Sequence, residues 1–197
     1  MVNTIEKFLI KEQGIFTAAE AREAGIDNKK LQRSTSAGKL ERVSRGLYMS
    51  TTAFEDEYFL AQYRCGKGIF SHETALFLHG LSDRTPLRLM LTIPTGFNST
   101  LLKDKVHYKF FYSRTAIYEL GITNMQSPYG HVIKVYDRER TLCDCLKKMA
   151  KLDKDVVLTA VRQYMGTQGN DYAKLLRYAE LLKIRDLVRQ YVEVLAK

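Results

Sequence analysis

Apolar residues recur along this chain with two alternating periods, and the switches between them mark its elements. Ile5, Phe8 and Leu9 stand at i, i+3 and i+4, with Glu6, Lys7, Lys11 and Glu12 on the other side. That spacing predicts an amphipathic helix over 3–13, ended by Gly14. Ile15 and Phe16 form a short extended piece. Thr17 and Glu20 have the spacing of a capping box and open an alanine-rich helix over 18–24. Gly25 permits a sharp left-handed turn, Ile26 fills that turn, and Asp27 caps a second helix over 28–37. After Gly38, residues 40–43 and 47–49 read as two short strands. Ser44-Arg45-Gly46 joins them as a hairpin turn, with glycine supplying the positive φ.

Ser50-Thr51-Thr52 interrupts the pattern and marks the expected domain boundary. Residues 53–65 then carry Phe54, Tyr58, Leu60, Ala61 and Cys65 at helical spacing, closed by Gly66 and Gly68. Ile69 and Phe70 are extended, and Ser71 is expected to cap a helix over 71–80. An apolar strand runs over 87–94, followed by a polar loop over 95–105. Residues 106–112 and 131–136 alternate as strands, and the stretch between them is irregular. From Asp137, an N-cap, the chain is helical. One helix follows with the stripe Leu142, Leu146 and Met149, and others lie over 153–165, 172–182 and 185–195. The expected fold class is α+β. A winged helix-turn-helix over 1–52 precedes a second α+β domain over 53–197, with a small sheet and C-terminal helices.

Charge sharpens the reading of the first part. The 197 residues carry a net charge of +9, which favours a polyanionic partner, most simply nucleic acid. Residues 1–25 hold three basic and four acidic residues, whereas residues 26–50 hold six basic and two acidic ones. Positive charge is therefore gathered on the second helix and the hairpin. On a helical wheel Leu31 anchors the buried stripe, and Asn28, Ser34 and Thr35 flank it. Lys29, Arg33 and Ser36 lie opposite, with Gln32 on the shoulder. These are side chains that pair with base edges and phosphates in a major groove. The alternative is a solvated face, which also favours Lys, Gln and Arg but should mix its signs. The expected DNA-binding residues are Lys29, Gln32, Arg33 and Ser36 on the helix, then Lys39, Arg42 and Arg45 around the wing. Arg45 sits at the wing tip. Strand alternation leaves open whether Arg42 points outward or lies alongside Leu40.

The rest of the sequence gives no catalytic signature. There is no Gly-rich phosphate loop, no G-x-S-x-G, no HExxH and no recognisable pair of catalytic carboxylates. His72, His79, Cys65 and Asp83 make a metal site imaginable, but capping and packing account for them more simply. Cys143 and Cys145 lack the spacing of a zinc or redox motif. The chain is therefore expected to be neither an enzyme nor a cofactor or metal binder. Lys103, Lys105, Lys109 and Arg114 lie among His107, Tyr108, Phe110, Phe111 and Tyr112, a mixture that suits either a strand with a solvated face or a nucleic-acid backbone contact. No signal peptide is apparent and no apolar run approaches the ~20 residues of a membrane span, so the protein is expected in the cytoplasm.

Three stretches taken together resemble the AbiEi-type antitoxins of bacterial type IV toxin–antitoxin and abortive-infection operons. They are KLERVSRGLYM at 39–49, SHETALFLHGLSD at 71–83 and VYDRERTLCDCL at 135–146. The resemblance implies an N-terminal winged helix-turn-helix and a C-terminal antitoxin domain. It implies binding to inverted repeats of double-stranded operator DNA and negative autoregulation. It also implies neutralisation of a nucleotidyltransferase-like toxin without a stable complex. A DNA-targeted enzyme with a degenerate nuclease-like second domain, or a winged-helix transcription factor without antitoxin activity, are the alternatives. The absence of a long heptad favours a monomer in solution that pairs on two half-sites.

Overall fold

Local capping chemistry sets the elements of the first quarter of the chain. The structure, a computed structural model, describes Phe8, Leu9 and residues 14–195. The helix expected over 3–13 therefore lies outside the described residues except for Phe8 and Leu9, which are helical. Strand β1 (Ile15–Thr17) leads into helix α1 (Ala18–Glu23) through the capping box. Glu20 N–H donates to Thr17 Oγ1 at 3.2 Å, and Thr17 N–H donates to the Glu20 carboxylate at 2.6 Å. Gly25, at φ 77°, turns the chain, and Asp27 caps helix α2 (Asn28–Ser36) by accepting from Lys30 N–H at 2.7 Å. Strands β2 (Leu40–Ser44) and β3 (Leu47–Ser50) complete an antiparallel three-stranded sheet in the order β1-β3-β2. Phe8, Phe16, Ala21, Ile26, Leu31 and Leu40 close its core. This is a winged helix-turn-helix.

The chain divides into two compact units. The first runs to Leu60, past the break expected after residue 52, and also takes in Pro128–His131. Two local facts within it explain the later boundary. The helix expected from residue 53 begins at Glu57 as α3 (Glu57–Cys65), because Asp56 Oδ1 accepts the N–H groups of Tyr58 and Phe59 at 3.1 and 3.0 Å. Phe54, expected in that helix's apolar stripe, is 85% exposed in the preceding loop. The fully buried Asp56 also accepts from His131 Nδ1 at 2.8 Å, and the imidazole stacks on Phe59.

The second unit holds a five-stranded mixed sheet in the order β6-β5-β4-β8-β7. Its strands are β4 (Ile69–Phe70), β5 (Leu89–Pro94), β6 (Tyr108–Ser113), β7 (Ile122–Gln126) and β8 (Val132–Tyr136). Helix α4 (His72–Leu78) follows β4, and the short α5 (Thr115–Tyr118) follows β6. Strand β4 is central although it is only two residues long, and both of its side chains are buried. Strands β5 and β6 start two residues later than their apolar runs suggest, leaving Leu87 and Val106 exposed. Asp104 causes the second shift by accepting the N–H groups of Val106 and His107. Strand β7 lies in the stretch expected to be irregular. It is an edge strand whose Asn124 and Gln126 are exposed, so it carries little alternation.

Helices α6 (Arg138–Lys147), α7 (Lys154–Gly166), α8 (Tyr172–Leu181) and α9 (Arg185–Leu195) share one apolar core with α4. The stretch at 135–146 organises this layer. Asp137 caps α6 by accepting from Arg140 N–H at 2.9 Å. The Lys174 ammonium bridges Asp137 and Glu139 at 3.0 and 2.9 Å, and Tyr164 donates to Glu139 at 2.9 Å. Arg140, 1% exposed, donates to Asp144 at 3.0 Å and to the carbonyls of Ile117 and Leu120 at 2.6 and 2.7 Å. The charges of Asp137, Glu139, Arg140 and Asp144 each have a partner there, as burial requires.

Candidate nucleic-acid interface

The turn between α1 and α2 is built from short-range bonds. Gly25 N–H donates to the Arg22 carbonyl at 3.0 Å and Ile26 N–H to the Ala21 carbonyl at 2.8 Å, the paired bonds of a Schellman closure. Ile26, 1% exposed, then drops into the core and fixes the angle at which α2 leaves. Helix α2 is held by one apolar anchor, Leu31, with Ser34 buried beside it. Thr35 is half-buried and donates to the Leu31 carbonyl at 3.0 Å. Asn28, expected beside the buried stripe, is exposed at the first helical position.

Lys29, Gln32, Arg33 and Ser36 are all exposed, as the wheel requires. Lys39 is exposed after the helix, and Arg45 is exposed in the turn between β2 and β3. The wing answers the question about Arg42. Its register shifts between Arg42 and Ser44, so Val43 is an extra residue in β2. The bulge breaks strict alternation. Leu40 is buried, Glu41 and Arg42 are both exposed, and Val43 turns back against Ile15, Leu47 and Leu60. All seven expected residues thus present their side chains to solvent on consecutive elements of the first unit. One further cation, Arg22, is exposed in the last turn of α1. Its only signal in the sequence is a basic residue in an alanine-rich helix. An exposed helix face of this composition can pair with base edges, and a wing-tip arginine can hold a phosphate or enter a minor groove.

His72, His79 and the cysteines of the second unit are taken up in packing and hydrogen bonding. His79 Nε2 donates to the Tyr136 carbonyl at 2.7 Å, and burial keeps its imidazole below the usual range. Ser71 stands at the N-cap of α4, but its hydroxyl makes no cap bond; it accepts from Thr92 Oγ1 at 2.8 Å and shares a 2.9 Å hydrogen bond with His72 Nδ1. Cys65, Cys143 and Cys145 are buried free thiols, and burial pushes Cys143 up to about 12. Among the described residues no group of three His, Cys, Asp or Glu is placed to hold a metal ion, and no helix is long and apolar enough to cross a membrane.

Residues 3–51 match the family described as "Transcriptional regulator, AbiEi antitoxin". The match covers the helix-turn-helix and the wing, and it supports the resemblance read from the sequence over that part of the chain. No curated protein matches the chain. Among solved structures, the crystal structure of the RV2827C protein from Mycobacterium tuberculosis is similar, with a TM-score of 0.57 at 13% identity. That likeness covers 98% of this chain and 80% of the other. At such low identity it speaks to the fold alone.

Proposed function

We propose that this protein is a DNA-binding transcriptional autorepressor and the antitoxin of a type IV toxin–antitoxin, abortive-infection system. It would act in the cytoplasm, without catalytic chemistry or a cofactor, as a monomer that pairs on the two halves of an inverted repeat in its own promoter. The observation that carries the DNA-binding half is the set of exposed side chains between Lys29 and Arg45. Polar and basic side chains there share one helix face and the adjoining wing, on a winged helix-turn-helix matched by the AbiEi regulator family. Lys29, Gln32, Arg33 and Ser36 read or grip the major groove, while Lys39, Arg42 and Arg45 hold the backbone. The antitoxin half rests on the same family match and on the resemblance of 71–83 and 135–146. The second unit would oppose a nucleotidyltransferase-like toxin without forming a stable complex with it.

Promoter binding by the full-length protein, measured across a salt series, tests the reading. Removing one phosphate-binding side chain should lower the slope of log K against log salt by about 0.9. Removing one that reads a base edge should cost about 1–3 kcal/mol and relax specificity at that position. Arg33→Ala with Arg45→Ala should do one or both. If affinity and salt slope stay at wild-type values, the interface is elsewhere. Co-expression with the toxin of the same operon tests the antitoxin half: growth should recover, and affinity purification should retrieve no toxin. Failure to restore growth would leave a plain transcription factor.

A further inference from the structure

Among the described residues, four helices end with the same pair of hydrogen bonds. The N–H of the third residue past the helix reaches back five residues, and the N–H before it reaches back three. Three of these closures place glycine in the left-handed position: Gly25, Gly38 and Gly80, at φ 77°, 69° and 65°. The fourth, at the end of α8, places Lys183 there at φ 57°, with Ile184 N–H on the Ala179 carbonyl at 2.8 Å and Lys183 N–H on that of Glu180 at 3.0 Å. A lysine in this conformation brings its Cβ against the following carbonyl, a cost that glycine avoids. Folding alone would favour glycine at this position too.

Among the described residues one other non-glycine has left-handed φ. It is His72, at 52°, the first residue of α4. Far apart in sequence, His72 and Lys183 line the same cavity of about 550 Å³ in the second unit. That size is within the roughly 300–1,000 Å³ range of small-ligand sites. Strain that gathers at one cavity from separate elements marks a place shaped for binding. His72 is 2% exposed and stacks on Phe111, with ring centroids 3.5 Å apart. Burial, then the charges of Lys109, Arg140 and Lys148, push its imidazole down to about 3, so the ring is neutral.

The wall is strongly cationic. Arg114, Lys147, Lys148 and Lys183 line it together with the Arg140–Asp144 pair, so Asp144, the lone carboxylate in the lining, is already neutralised. Lys147 donates to the Leu182 carbonyl at 2.8 Å and so pins the turn that carries Lys183. Tyr112, 58% exposed, and Leu181, 49% exposed, add aromatic and apolar surface. An anion with an apolar planar body suits such a lining better than a bare inorganic ion does.

We propose that this cavity binds a nucleoside phosphate. Lys183, Lys148 and Arg114 hold the phosphate, and the aromatic and apolar wall takes the base. A free nucleotide and the phosphorylated end of an RNA present the same chemistry. The inference does not depend on the promoter-binding reading, which concerns the other unit.

The test is calorimetric titration of the full-length protein with each of ATP, GTP, CTP and UTP, with inorganic phosphate, and with a short RNA bearing a terminal phosphate. Lys183→Gly is the informative variant, because it keeps the turn and removes only the side chain. It should leave the Tm unchanged or raise it, leave promoter binding unchanged, and weaken nucleotide or RNA-end binding at least tenfold. Lys148→Ala, which leaves both left-handed residues in place, should also weaken it. Binding of the RNA and not of free nucleotides would support the proposal with the RNA end as the source. No saturable binding of any probe, or binding indifferent to Lys183→Gly, would overturn it. So would a fall of several degrees in Tm for that variant, or inorganic phosphate binding as tightly as any nucleotide.

Discussion

Replacing His131 with alanine should destabilise the first unit by about 1–3 kcal/mol, the cost of taking a hydrogen-bond donor from a buried acceptor. The figure follows from the surroundings of Asp56. Its side chain is wholly out of solvent and that of His131 is 10% exposed, with 2.8 Å between His131 Nδ1 and Asp56 Oδ2. Removing the imidazole strips that donor from a buried carboxylate. The loss is softened because Oδ1 keeps the N–H groups of Tyr58 and Phe59. Asp56→Asn separates these roles, since asparagine still caps a helix but carries no charge. Urea unfolding of the wild type, the two single variants and the double variant forms a cycle. The coupling between Asp56 and His131 should exceed about 0.5 kcal/mol, above the additivity expected of independent sites. Strict additivity would mean that the pair does not secure Pro128–His131 to this unit. Promoter affinity of His131→Ala should fall only in proportion to the unfolded fraction, because His131 is not on the exposed face of α2 or the wing.

Two glycines offer a comparison of conformation against space. At Gly25 (φ 77°) a Cβ would meet nothing within 4 Å, so Gly25→Ala should cost only the left-handed penalty of about 1–2 kcal/mol. At Gly14 (φ 82°) a Cβ would stand 2.4 Å from that of Ala53, so Gly14→Ala should cost clearly more in thermal unfolding; equal costs would refute the close approach. Stability should also fall with acid because of His72. Its folded pKa, about 3, is below its unfolded value, so the contribution is full above pH ~6.5 and is lost as pH drops towards the folded value. The slope from this one group is at most about 1.4 kcal/mol per pH unit. The raised carboxyl of Asp144 pulls the other way, so the quantity to measure is wild type minus His72→Asn, a variant that tolerates the left-handed backbone without titrating. A difference that is flat from pH 7 to 4 would refute the assignment.

The helix-turn-helix is the part of the fold that is easiest to read from residues. Thr17 with Glu20, Gly25, Asp27 with Lys30, and Gly46 act across five residues or fewer, so each element and its ends follow from neighbours in the chain. The same locality makes the exposed face of α2 readable: once Leu31 is buried, the wheel dictates what lies opposite. The wing is partly readable. Its hairpin turn is local, but the bulge that exposes Arg42 depends on how β2 registers against β3. Strand β7 escapes notice because an edge strand needs no alternation. Asp56 reads as a polar position within the helix expected over 53–65 and His131 as the start of a strand, since their bond spans 75 residues.

By itself, then, the sequence determined the α+β class, the winged helix-turn-helix, the segregation of positive charge onto its second helix and wing, and the cap of α6. These are consequences of short-range hydrogen bonds and of hydrophobic period, both of which are written in consecutive residues. Tertiary structure decided which distant segments meet. It placed the two-residue strand β4 at the centre of a sheet, gave residues 128–131 to the first unit, and set His72 and Lys183 on the wall of one cavity. Such meetings are selected by how buried groups fill space and satisfy one another's charge. No period or spacing along the chain encodes that selection.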